Sequence, residues 1–181
     1  MTVMYGKGPT GLAVPIKVGD DGSISAQVGY AASATITRPA NTTAYTAGDV
    51  VGAAAAAFSL PDLGLSGSSI LITSTSLEID VSAVPSGMTS FRLHLYTVTP
   101  PSALADNAVW DLPSGDRASY VGYIDLGTPV DLGSTLYVEV SGINKQVKLT
   151  GTGLFGYLVT NGGYTPSSAA VKGVKVHAVV I

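Results

Sequence analysis

From Ala34 onward this chain is a succession of short apolar or alternating runs, each closed by Gly, Pro, Asn or Asp, and that punctuation constrains its fold more than any other feature. Runs fall at 34–38, 49–58, 69–80, 90–99, 119–126, 135–141, 147–150, 154–160 and 171–181. Most have ordinary strand length, and regular spacing with turn residues between is the pattern of a sandwich or barrel. Phe91, Leu93 and Leu95 alternate with Arg92, His94 and Tyr96; Val174, Val176, Ala178 and Val180 alternate with Lys175 and His177. Both runs read as half-buried antiparallel strands. Straight-chain helix formers are scarce, Glu occurring only at 78 and 139 and Gln only at 27 and 146.

The expected fold class is all-β, a jelly-roll-like antiparallel β-sandwich with an extended N-terminal arm. About eight strands suit two packed sheets better than a seven-stranded immunoglobulin sandwich. Residues 1–30, with glycines at 6, 8, 11, 19 and 22 and prolines at 9 and 15, form the arm, and residues 31–181 the sandwich. The five alanines at 53–57 read as strand or a short turn of helix. Residues 100–116 form a long irregular connection carrying the single tryptophan, Trp110. Connections of that length are usually functional or interfacial.

Charged residues make up 12% of the 181 residues, about half the usual share, while the hydrophobic fraction of 46% is ordinary. Ser, Thr, Gly and Ala must therefore cover much of the surface. Such a surface loses little solvation when it meets another protein, which points to assembly. The net charge is −3 and the cations are scattered, apart from Lys172 and Lys175, so no basic groove for nucleic acid is expected. The most apolar run, 50–58, is too short to span a bilayer, so no membrane partner is expected either. With no cysteine there is no disulfide or thiolate chemistry. The first residues lack the apolar core of a signal peptide, and the protein is expected to be made in the cytoplasm.

His94 and His177 have no Cys, His or acidic neighbour at ligand spacing and read as sheet-face histidines, so no metal is expected. No Gly-x-Ser-x-Gly elbow or phosphate loop is present, and neither catalytic residues nor a cofactor are expected. Asp20 and Asp21 sit in a glycine-flanked turn. Asp106, Asp111 and Asp116 lack the rhythm of a calcium loop and read as caps, turn residues or an ion pair with Arg117. Trp110 with Tyr120 and Tyr123 could form an aromatic platform for sugar; Trp110 reads more readily as a hydrophobic anchor that pins the long loop or docks on a neighbour.

Residues 36–52 (Ile-Thr-Arg-Pro-Ala-Asn-Thr-Thr-Ala-Tyr-Thr-Ala-Gly-Asp-Val-Val-Gly), residues 107–127 around Trp-Asp-Leu-Pro-Ser-Gly-Asp-Arg, and the segment Val-Pro-Ile-Lys-Val-Gly-Asp-Asp-Gly at 14–22 resemble the jelly-roll capsid decoration, or cement, proteins of tailed bacteriophages. The resemblance implies a non-enzymatic homotrimer that binds the major capsid protein on the outside of the virion. On that reading the arm and the long loop would supply contacts, with Tyr5, Leu12, Val14, Ile16, Trp110, Leu112 and Arg117 as candidates. The alternative is a carbohydrate-binding head-fibre or tail-associated adhesin domain. A cupin-type enzyme would need clustered metal ligands, which two distant histidines do not supply.

Overall fold

The computed structural model describes residues 5–7, 13–15, 29–53 and 57–181. Among them are eleven strands and no helix: β1 (Tyr5–Lys7), β2 (Ala13–Pro15), β3 (Gly29–Thr37), β4 (Phe58–Leu60), β5 (Ser69–Ile79), β6 (Phe91–Tyr96), β7 (Tyr120–Gly127), β8 (Val130–Asp131), β9 (Leu136–Lys148), β10 (Leu154–Thr160) and β11 (Val171–Val180). β1 and β2 form a small antiparallel ladder, with Tyr5 opposite Pro15 and Gly6 opposite Val14. The others make a four-stranded sheet, β4-β10-β6-β7, and a five-stranded sheet, β3-β11-β5-β9-β8.

Set aside β1, β2 and the two-residue β8, and eight strands remain. In chain order the first pairs with the eighth (β3 with β11), the second with the seventh (β4 with β10), the third with the sixth (β5 with β9) and the fourth with the fifth (β6 with β7), all antiparallel. That nested pairing is a long hairpin rolled on itself, the jelly roll.

Alternation decides which side chains enter the space between the sheets. Phe91, Leu93 and Leu95 of β6, Leu154 and Leu158 of β10, Val174, Val176 and Ala178 of β11, Ala32, Ala34 and Ile36 of β3, and Ile70, Ile72, Leu77 and Ile79 of β5 form one buried cluster. Each fully buried Leu or Ile stabilises the fold by about 1.5–3 kcal/mol, so this layer holds the sheets together without staples.

Three details differ from the sequence reading. The runs at 135–141 and 147–150 are parts of one strand, β9, whose register against β5 shifts between Ser141 and Lys145. Gly142 and Asn144 take φ of 68° and 53° there, the left-handed region that Gly and Asn enter most readily. A bulge thus replaces the expected break. In the run at 49–58, Asp49 and Val50 make only isolated bridges and the strand begins at Phe58; residues 54–56 of the alanine run lie outside the described residues. The outward face of β6 is also covered, since His94 and Tyr96 are buried along with Phe91, Leu93 and Leu95.

Lys172 and Lys175, neighbours in sequence, point to opposite sides of β11. Lys175 faces out, whereas Lys172 is in phase with Val174 and is 1% exposed. Among the described residues its Nζ has no hydrogen-bond partner, and neither does the nearby buried hydroxyl of Tyr164. Desolvation lowers the Lys172 pKa to about 8, against a favourable pull from Asp106. A group depressed in the folded state makes folding cost more wherever the unfolded chain holds the proton. The wild-type protein should therefore gain stability as pH rises from about 8 toward the unfolded value of 10.5. Lys172→Met, of similar length and uncharged, is expected to raise the unfolding free energy at pH 7 by about 1–4 kcal/mol. The advantage should shrink above pH 8, as measured by urea unfolding across pH.

Candidate functional site

The 97–119 connection between β6 and β7 crosses the outer face of the four-stranded sheet. Its far end is laced to residues 48–53 by backbone hydrogen bonds. Asp106 N–H donates to the Ala53 carbonyl (3.1 Å), Asn107 N–H to Val50 (2.9 Å) and Trp110 N–H to Gly48 (2.9 Å), while Val50 N–H donates to Ala108 (2.8 Å). Beneath the loop lies a second apolar layer of Val50, Tyr96, Tyr157 and Val159, with Leu104, Trp110, Leu112, Tyr120 and Phe155 packed against it. This cover buries the outer face of β6. The Tyr157 hydroxyl fastens the near end of the loop by donating to the Ser102 carbonyl (2.6 Å) and accepting from Leu104 N–H (3.2 Å).

Asp106 fastens the far end. Its carboxylate is 3.2 Å from Nη2 of Arg38, and the two side chains are 5% and 0% exposed. The Tyr45 hydroxyl donates to Oδ1 at 2.5 Å, and Gly52 N–H donates to the same oxygen at 3.1 Å. Arg38 also donates to the Asn41 side chain (2.9 Å) and to the Tyr45 hydroxyl (3.2 Å), and its guanidinium lies 5.1 Å over the Tyr45 ring. Burial, then the bond to Asp106, drives the Tyr45 pKa far above its ordinary value. The expected ion pair with Arg117 is therefore replaced by one with Arg38, 68 positions away. Arg117 is exposed and outside the salt bridges of the described residues. Asp111 bonds Leu112 N–H (2.8 Å), and Asp116 accepts from Ser102 N–H (3.3 Å), as turn residues do.

Above this layer an open groove of about 210 Å³ is lined by Gly48, Arg92, His94, Val109, Trp110, Tyr120, Tyr123, Val159 and Asn161. The His94 ring lies 3.9 Å from Trp110 and 5.5 Å from Tyr123, and Arg92 sits 4.9 Å over Tyr123. His94 Nδ1 and the Tyr120 hydroxyl share a hydrogen bond of 2.9 Å. Burial, then the nearby Arg92 charge, lowers the His94 pKa to about 4, against the pull of Asp125.

Trp110 of the loop and Tyr120 and Tyr123 of β7 thus line one groove. Trp110 and Leu112 are half-buried in the layer under the loop. Tyr5 and Val14 lie in the β1–β2 ladder; Leu12 and Ile16 fall outside the described residues. His94, Arg38 and Arg92 were not singled out as site residues. The signal available was the aromatic-rich outward register of β6 and β10 (His94, Tyr96, Phe155, Tyr157), too apolar for a face left in water. His177 lies on the outer face of the other sheet. Among the described residues no three metal-ligating side chains come together, and no helix is long and apolar enough to cross a membrane.

No protein-family model matches the chain, and no curated protein matches it. Solved structures with partial likeness include the acidic stable capsid structure of Helicobacter pylori bacteriophage KHP30, at 14% identity over 86% of this chain and 95% of that one, with TM-score 0.35. The full particle of Israeli acute paralysis virus heated to 63 degrees aligns at 14% identity over 86% of this chain and 74% of that one (TM-score 0.28). The VP2 subviral particle of infectious bursal disease virus aligns at 11% over 97% and 36% (TM-score 0.31). At these scores the fold assignment rests on the strand pairing itself.

Two outcomes are expected. Asp106→Ala leaves Arg38 buried and unpaired and should cost about 3–5 kcal/mol in urea unfolding, whereas Arg38→Met with Asp106→Leu should recover much of that loss. For His94, the unfolded chain takes up a proton near pH 6.5 and the folded one only near 4. Its contribution is thus intact above 6.5 and lost at up to about 1.4 kcal/mol per pH unit on descending to 4. His94→Gln should flatten that slope, followed by Trp110 fluorescence at fixed urea.

Proposed function

We propose that the chain is a structural virion protein that binds the outside of a bacteriophage capsid and stabilises the shell as a homotrimeric decoration, or cement, protein. Its partners are the major capsid protein and further copies of itself, and it carries out no catalysis.

One observation carries the reading beyond the sequence resemblance: exposed apolar side chains stand at both ends of the sandwich, Leu65, Val98 and Ile181 at one and three more at the other. Ile79 pairs with Leu136, Phe91 with Gly127 and Thr37 with Val171, so the β5–β6, β7–β9 and β10–β11 connections share that end. It presents Val84, Val130 and Leu132, which are 41%, 58% and 65% exposed. Apolar tips on a weakly charged surface favour burial against protein. The outer face of the five-stranded sheet is similarly mild, with Ala31, Ser33, Thr35 and Thr37 exposed along β3. The arm candidates Tyr5, Leu12, Val14 and Ile16, together with Arg117, would add contacts, while Trp110 and Leu112 would hold the long loop in shape.

A ligand that binds only the assembled shell stabilises it by RT ln(1 + [L]/Kd) per site, about 2.7 kcal/mol at a hundredfold excess over Kd. A trimer multiplies weak contacts through effective concentration. Val130→Asp with Leu132→Asp is expected to weaken binding to matured shells at least tenfold, with thermal melting and the trimer mass in light scattering unchanged. Full binding by that variant, or a monomer at every concentration, would count against the reading.

A further inference from the structure

We infer that the groove over Tyr123 binds a single pyranose ring of a carbohydrate, independently of any surface that holds the protein to a shell. Pinning the loop accounts for Trp110, whose half-buried ring packs tilted against His94 at 3.9 Å. It does not account for Tyr123 and Val109, which line the same groove at 46% and 69% exposed. These two leave an apolar platform open to water beside an anchor already packed under the loop.

The rim decides what suits that platform. Arg92 Nε donates to Asp125 Oδ1 at 2.8 Å, with the two side chains 43% and 60% exposed. Among the described residues the Arg92 Nη groups and Asp125 Oδ2 make no hydrogen bond, so fixed donors stand beside a fixed acceptor at the groove edge. Asn161 donates through Nδ2 to Ser90 Oγ (2.8 Å), which leaves its Oδ1 as a further acceptor. A sugar ring presents a C–H face to an aromatic floor and hydroxyls that both donate and accept to such a rim. A phosphate-bearing ligand fits poorly, because the one cation lining the groove is already neutralised by Asp125. A purely apolar side chain would cover the rim without satisfying it. The volume of about 210 Å³ lies below the range of drug-sized pockets, which suits one ring.

The platform is also held in place before any ligand arrives. Tyr123 is flanked by Arg92 at 4.9 Å and His94 at 5.5 Å, so little side-chain ordering is left for binding.

The test is saturation-transfer difference NMR on the full chain with methyl pyranosides of glucose, galactose, mannose and N-acetylglucosamine. At least one is expected to receive saturation at its ring C–H protons. Tyr123→Ala should reduce that signal at least tenfold. Val109→Lys lays a charged chain across the groove from an exposed position and should do the same, with Trp110 fluorescence and melting unchanged as the folding control. No transfer to any of the four sugars overturns the proposal, as does transfer that survives both substitutions. If the variants lose shell binding while the parent gives no sugar signal, the groove is a protein contact and the inference falls.

Discussion

The buried pair of Arg38 and Asp106 is the constraint on which the outer half of this protein depends. Placing two charges at 0% and 5% exposure costs several kcal/mol per ion in desolvation, and their attraction only offsets that cost when the remaining hydrogen-bonding capacity is filled. Here Tyr45, Asn41 and Gly52 fill it. The net contribution to stability is therefore small, and the pair acts chiefly as a register. A position of the long loop that moved Asp106 away would leave the buried Arg38 charge unpaired.

From that register follows the second apolar layer. A loop of some twenty residues carries a large ordering cost, and neither Trp110 nor Leu104 alone would offset it. Tied at Asp106 and at Tyr157, the loop brings both down on Val50, Tyr96 and Val159 together. The four-stranded sheet then has one face covered by the other sheet and part of the other, over His94, Tyr96 and Tyr157, covered by its own connection. The five-stranded sheet keeps an outer face of small polar residues in water. The two sides of the sandwich are thus chemically unlike, and the aromatic groove lies beside the loop, where His94 and Arg92 flank Tyr123 at the edge.

How much of this could be read in advance depended on the range of the interaction. Strand positions follow from period-two alternation, a local property, and runs such as 69–80 and 154–160 match β5 and β10 within a residue. The sequence divides β9 into two runs, 135–141 and 147–150, whereas pairing with β5 both before and after Gly142 and Asn144 makes the break a bulge. His94 was read as an ordinary sheet-face residue because nothing near it in sequence reveals that a loop sixteen positions later will cover it. For Asp106, Asp111 and Asp116 the sequence offers caps, turn roles or an ion pair with the nearby Arg117, whereas the cation that Asp106 meets lies 68 positions away.

The sequence by itself determined the all-β class, the approximate strands, the weak surface charge and the length of the loop around Trp110, since each depends on composition or on spacing within a dozen residues. Tertiary structure alone decided the nested strand pairing, the burial of Lys172 on the face opposite Lys175, and the meeting of Trp110, Tyr120, Tyr123 and His94 over one sheet face. Those outcomes turn on which distant backbone segments share hydrogen bonds and which charges are removed from water together. Such energies exist only after the chain has closed its long-range contacts, so no local pattern carries them.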